Sequence, residues 1–205
     1  MDKKRKASII LNSIILIAEI AGFVVAIAFN GFAIMGYYTQ ESNFVLLVAT
    51  AIYLYFRIFK GEIPKWVLKL KYVATGLVSV TFVVVVLVLI PMVMPYGAWA
   101  SIYMIFGGAN LVHHLTCPIL SVITFLLFEK EYVPGKADNF IAMLPTLLYA
   151  IVTTSLNVAK VIRGPYPFLY VYEQPVWMSV MWFIVIPGGG YLLALILRVW
   201  KKALS

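Results

Sequence analysis

The stretch KYVATGLVSVTFVVVVLVLIPM (71–92) carries one charge, Lys71, at its start, and beyond it nothing more polar than small hydroxyls such as Thr75 and Ser79. As a helix rising 1.5 Å per residue it covers about 30 Å, the thickness of a bilayer's hydrocarbon core. Working outward in both directions, five further apolar segments of similar length appear, at 8–29, 37–57, 101–128, 140–160 and 177–198. Lipid offers no partner to a backbone N–H or C=O, so each segment must satisfy its own hydrogen bonds as a helix. The expectation is an all-α integral membrane protein, a single six-transmembrane-helix bundle over 1–205, with too little chain between the spans for a separate soluble domain.

Composition agrees. The chain is 63% hydrophobic and only 12% charged, against about a quarter charged in soluble domains. Its net charge of +8 is not spread as a nucleic-acid surface would be. Lys3, Lys4, Arg5 and Lys6 precede the first span; Arg57, Lys60, Lys65, Lys69 and Lys71 lie between the second and third; Lys130 and Lys136 follow the fourth; Arg198, Lys201 and Lys202 end the chain. Only Lys160 and Arg163 fall on the other side. The positive-inside rule therefore places both termini in the cytoplasm and the protein in the cell membrane. The basic N-terminus and the run ending Ala26-Ile27-Ala28 partly mimic a secretory signal. That apolar run exceeds the usual 7–15 residues and Glu19 interrupts it, so it reads as the first span.

Proline and glycine mark the joints: KGEIPKW (60–66), PMVMPYG (91–97), EYVPGKADN (131–139) and RGPYPFLYVYEQP (163–175). The last, with three prolines and three tyrosines, suits a rigid loop at headgroup level. PGGGY (187–191), inside the sixth span, either lets a neighbour approach closely or breaks the helix.

The polar residues inside the spans sit unevenly in depth. Counting about 20 residues outward from each basic end puts Thr39 and Asn157 about two or three residues inside the outer boundary. On the same ruler Asn43 lies about a turn below Thr39, Asn110 about one residue inside, His114 about five and Glu19 about seven. The inner halves read as almost wholly apolar. This asymmetry implies a hydrophilic pocket open to the outside or to the outer leaflet. Ser, Thr and Asn in spans also serve as interhelical glue, whereas Glu19 and the His113–His114 pair are costlier and point to a site. Thr39 and Asn43 share a helix face at i, i+4, and Asn110, His114 and Pro118 form an i, i+4, i+8 row. His113 points about 100° away from His114, toward the stripe of Cys117. Cys117 is the single cysteine, which excludes an intrachain disulfide. One carboxylate and two adjacent histidines do not make the three or four convergent ligands of a zinc site, so no metal and no cofactor are expected.

A hydroxyl and an imidazole at similar depth have the composition of a nucleophile and its base. The stretches YYTQESN (37–43), NLVHHLTCP (110–118) and GPYPFL (164–169) resemble the signatures of a bacterial family of six-span membrane proteins. That family in turn resembles the eukaryotic androgen-induced and androgen-dependent membrane proteins, intramembrane hydrolases of fatty acid esters of hydroxy fatty acids. The resemblance implies Thr39 as nucleophile and His114 as base, acting on a lipid or fatty-acyl substrate. Asn43 and Asn110 are the candidate oxyanion donors, and Glu19, Asn157 and His113 further pocket residues. Two other readings stand beside it: a small proton-coupled transporter or channel using Glu19 and His114, and a non-catalytic bundle.

Overall fold

The computed structural model describes residues 3–205, and among them there is no strand. Seven helices account for most of the chain: α1 (Lys3–Asn30), α2 (Tyr38–Lys60), α3 (Lys65–Tyr96), α4 (Ala98–Phe106), α5 (Leu111–Leu127), α6 (Lys136–Val158) and α7 (Val176–Leu204). Five are long and apolar enough to cross a membrane, and α4 with α5 makes a sixth if the bent pair counts as one span.

The bend corrects the expectation of one continuous helix over 101–128. α4 and α5 meet at 77°, because GGAN (107–110) offers two successive glycines and an Asn where a helix would have to continue. α5 then opens with a π turn, Leu111–Thr116. The triple glycine, by contrast, does not break α7, which runs on through Pro187 to Leu204. A Cβ at Gly190 would stand 3.4 Å from Val80 of α3 and 3.5 Å from the Thr146 hydroxyl of α6, so the small residue lets three helices meet.

α3 is the hub, packed against α2, α5, α6 and α7. Every residue from Lys71 to Thr81 is buried, which is why that stretch is apolar on all faces rather than along one stripe. Around it the usual distribution is inverted. Ile17, Leu87 and Ile184 are each about two-thirds exposed (68, 69 and 65%), whereas Asn12, Glu19, Lys71, His113, Glu129 and Lys201 are buried to 2% or less. Water would penalise that arrangement and hydrocarbon favours it.

One buried cluster was not expected, since the inner halves read as apolar. Lys71 Nζ donates to Asn12 Oδ1 at 2.9 Å and Thr50 Oγ1 at 3.2 Å and stands 3.7 Å from Glu129 Oε1. Asn12 Nδ2 also donates to Glu129, at 3.0 Å. The reason is a boundary: α3 begins at Lys65, after Pro64, so Lys71 lies nearly two turns inside the helix instead of at its mouth. Arg5 donates to the carbonyl of Arg57 and Lys130 to that of Leu204, which gathers both chain ends and these basic residues at one end of the bundle.

Candidate functional site

The site lies at the opposite end, where α2 begins. Tyr37 is extended (φ −87°, ψ 135°) and α2 starts at Tyr38, which makes Thr39 a first-turn residue whose N–H has no partner within its own helix. That N–H donates to Tyr166 Oη at 3.2 Å, and Thr39 Oγ1 lies 3.3 Å from the same phenol oxygen. The polar residues after Thr39 are tied in turn. Ser42 Oγ donates to the Thr39 carbonyl at 3.0 Å and meets Thr81 Oγ1 of α3 at 2.8 Å. Asn43 Nδ2 donates to the Thr39 carbonyl at 2.7 Å and to the His113 carbonyl at 3.2 Å. Glu41 faces outward. Residues from three separated stretches, 37–43, 110–118 and 164–169, are thereby in contact.

Thr39 forms part of the wall of a narrow, mostly apolar cavity. Val80, Val84, Leu89, Trp182 and Ile186 give it an apolar body, and Tyr38, Thr146 and Tyr166 supply hydroxyls. Tyr38 Oη and Thr146 Oγ1 bond each other at 2.7 Å. The buried Trp182 Nε1–H has no partner among the described residues.

His114 is buried, its Nδ1 2.7 Å from the carbonyl oxygen of Met104. In an unbroken helix, residues ten apart would be separated by about 15 Å, so this contact exists only because α4 folds back at the bend. A carbonyl can only accept; Nδ1 is therefore the protonated nitrogen of the neutral ring, and Nε2 keeps its lone pair. No hydrogen bond joins Thr39 to His114 among the described residues; Asn43 connects α2 to the histidine-bearing turn.

Glu19 meets His113 rather than His114. Its Oε2 is 3.5 Å from His113 Nε2, and both side chains are buried, to 0 and 1%. Among the described residues no nitrogen or oxygen donor makes a hydrogen bond to the carboxylate; the Cys117 thiol lies beside it. A Cβ at Gly22 would stand 2.5 Å from His113 Nε2, so only glycine there lets the imidazole reach α1. Asn110 sits at the bend and donates to the Tyr103 carbonyl at 3.1 Å. Asn157 organises the loop beyond α6: its amide donates to the carbonyls of Ile162 and Arg163 and its oxygen accepts from Val171 N–H.

Two participants escaped the sequence reading. Tyr166 lies in a loop whose tyrosines read as headgroup anchors; its place between two prolines was the available signal. The Met104 carbonyl had none without the bend. The chain's similarity to known proteins adds nothing to this geometry: no family model, no curated protein and no solved structure matches it.

Proposed function

We propose that this chain is a six-span protein of the cell membrane, both termini cytoplasmic, that hydrolyses a lipid ester with Thr39 as nucleophile and His114 as base. The observation that carries the reading is the setting of Thr39: it lines an apolar cavity at a helix start, with its own N–H unused by the helix and its hydroxyl beside Tyr166 Oη. An acyl chain occupies the cavity among Val84, Leu89 and Ile186, and the ester lies at the hydroxyl-bearing wall. His114, its tautomer set by the Met104 carbonyl, takes the proton of Thr39 at Nε2. The reading requires that the ring reach Thr39 directly or through one water once substrate is bound. The orienting role assigned to the carboxylate of a triad falls here to a backbone carbonyl. The test is reaction of the purified full-length protein with an alkyl fluorophosphonate, followed by mapping of the modified residue.

A second reading, a proton-coupled transporter, rests on the Glu19–His113 pair, two ionisable side chains fully buried at 3.5 Å, an arrangement that is costly unless used. Proton uptake into proteoliposomes is its readout.

A further inference from the structure

We propose that the Tyr166 hydroxyl and the Thr39 backbone N–H together hold the oxyanion of the reaction, which makes Tyr166 a catalytic residue; this rests on Thr39 being the nucleophile. Tyr166 Oη is within hydrogen-bond reach of the attacking oxygen, at 3.3 Å, and accepts from the Thr39 N–H that the helix start leaves without a helical partner, at 3.2 Å. An N–H can only donate, so Oη accepts from Thr39, and the phenol's own proton is left to point toward Oγ1 or an oxygen beside it. Burial pushes the phenol up to about 12, so it keeps its proton at working pH: Tyr166 donates and does not serve as the base. The titratable groups around it are Tyr37, Tyr38, Glu41 and Tyr149.

Geometry allows the role. In a tetrahedral intermediate the oxyanion lies roughly 2.3 Å from the attacking oxygen, so a donor 3.3 Å from Oγ1 can stand within the roughly 2.7–3.1 Å that oxyanion stabilisation needs. The other donors are committed: the Asn43 amide is bonded to two backbone carbonyls, and Asn110 faces Tyr103 at the bend. The phenol is also held in place. Its ring stacks on Phe168 with centroids 5.2 Å apart and meets Tyr37 edge-on at 5.7 Å. Its loop turns at Gly164, where φ is +100° and the Leu169 carbonyl oxygen would lie 3.3 Å from a Cβ; a side chain there would be strained. Asn157 pins the carbonyls just before it.

In the step, Thr39 Oγ bonds to the ester carbonyl carbon, the π pair moves to oxygen, and the proton passes to His114 Nε2. The new oxyanion takes the hydrogen bond of the Tyr166 hydroxyl and that of Thr39 N–H, which turns from Tyr166 Oη to the oxyanion beside it. Collapse breaks the bond to the alcohol, which leaves with that proton, and water then releases the acid from acyl-Thr39 by the same sequence.

The experiment uses the full chain in detergent, a 4-nitrophenyl ester of a long-chain fatty acid, and the alkyl fluorophosphonate. Tyr166→Phe keeps the ring and both stacks. It is expected to lower kcat about 10²–10³-fold, with KM within about threefold and the rate of Thr39 labelling reduced in parallel. 3,5-Difluorotyrosine at 166, a more acidic phenol, is expected to restore turnover, with the high-pH decline of kcat displaced to lower pH. Wild-type protein that is not labelled at Thr39 overturns the esterase reading and this assignment with it. Wild-type labelling with Tyr166→Phe undiminished overturns the assignment alone. If Tyr166→Phe does not fold, an unshifted pH profile in the difluorotyrosine protein overturns it instead.

Discussion

Thr39, Ser42 and Asn43 answer to one constraint, the first turn of α2. Ser42 and Asn43 both spend their side chains on the Thr39 carbonyl, which fixes the backbone that carries the hydroxyl and leaves Oγ1 to Tyr166. That Thr39 and Asn43 share a face was legible in their spacing; that the partner across the gap is a loop tyrosine was not, because nothing in a sequence says where a connecting segment folds back. The histidines divide as their 100° offset implies, one toward α1 and one toward α4, yet the transporter reading of the sequence joined Glu19 to His114, whereas Glu19 meets His113. The error came from counting depth along spans without knowing that Gly22 opens α1 to His113. Glu19 also separates the two functional readings. If the esterase reading holds, Glu19→Gln leaves ester turnover within about threefold and costs stability, since it alters a buried pair with His113 rather than with the base His114. If the transporter reading holds, the same change abolishes proton uptake in proteoliposomes. Ester turnover lost with Glu19→Gln contradicts both assignments of the residue.

At the scale of elements, α3 and the α4–α5 bend do the positioning. α3 was readable because a helix packed on every side must be apolar on every side; its start was misplaced because Lys65, Lys69 and Lys71 read as one flanking charge cluster, whereas only Lys71 points inward. The bend was missed because an apolar window averages over GGAN (107–110), and it is the bend that brings Met104 to His114. Lys71 and Glu129, buried to 0 and 2%, clamp α3 to the end of α5, with Asn12 of α1 bonded to both. Removing one partner strands the other without its counter-charge in low dielectric. Lys71→Met is expected to destabilise by about 3–5 kcal/mol, and Lys71→Met with Glu129→Gln to recover a large part of that loss. Thermal unfolding in a mild detergent checks both; a single variant as stable as wild type would mean that the pair does not hold the helices.

Across the whole molecule large aliphatic side chains lie outside while amides, acids and bases are buried among the apolar core, with most of the basic residues at one end and the candidate site at the other. Composition made the first legible and the positive-inside pattern implies the orientation. Because Cys117, the single cysteine, is fully buried, introduced cysteines report orientation cleanly. Arg163→Cys, in the loop beside the site, is expected to react with an impermeant maleimide on intact cells, and Lys60→Cys only after permeabilisation; the reverse pattern would turn the site toward the cytoplasm. Orientation matters because it decides which leaflet supplies the ester, but the central claim is chemical: that Thr39 attacks an acyl carbonyl. The most direct measurement is peptide mapping of full-length protein treated with an alkyl fluorophosphonate. The account predicts a single adduct on Thr39, lost in Thr39→Ala and slowed by a competing fatty-acyl ester; no adduct, or one on another residue that persists in Thr39→Ala, would contradict it.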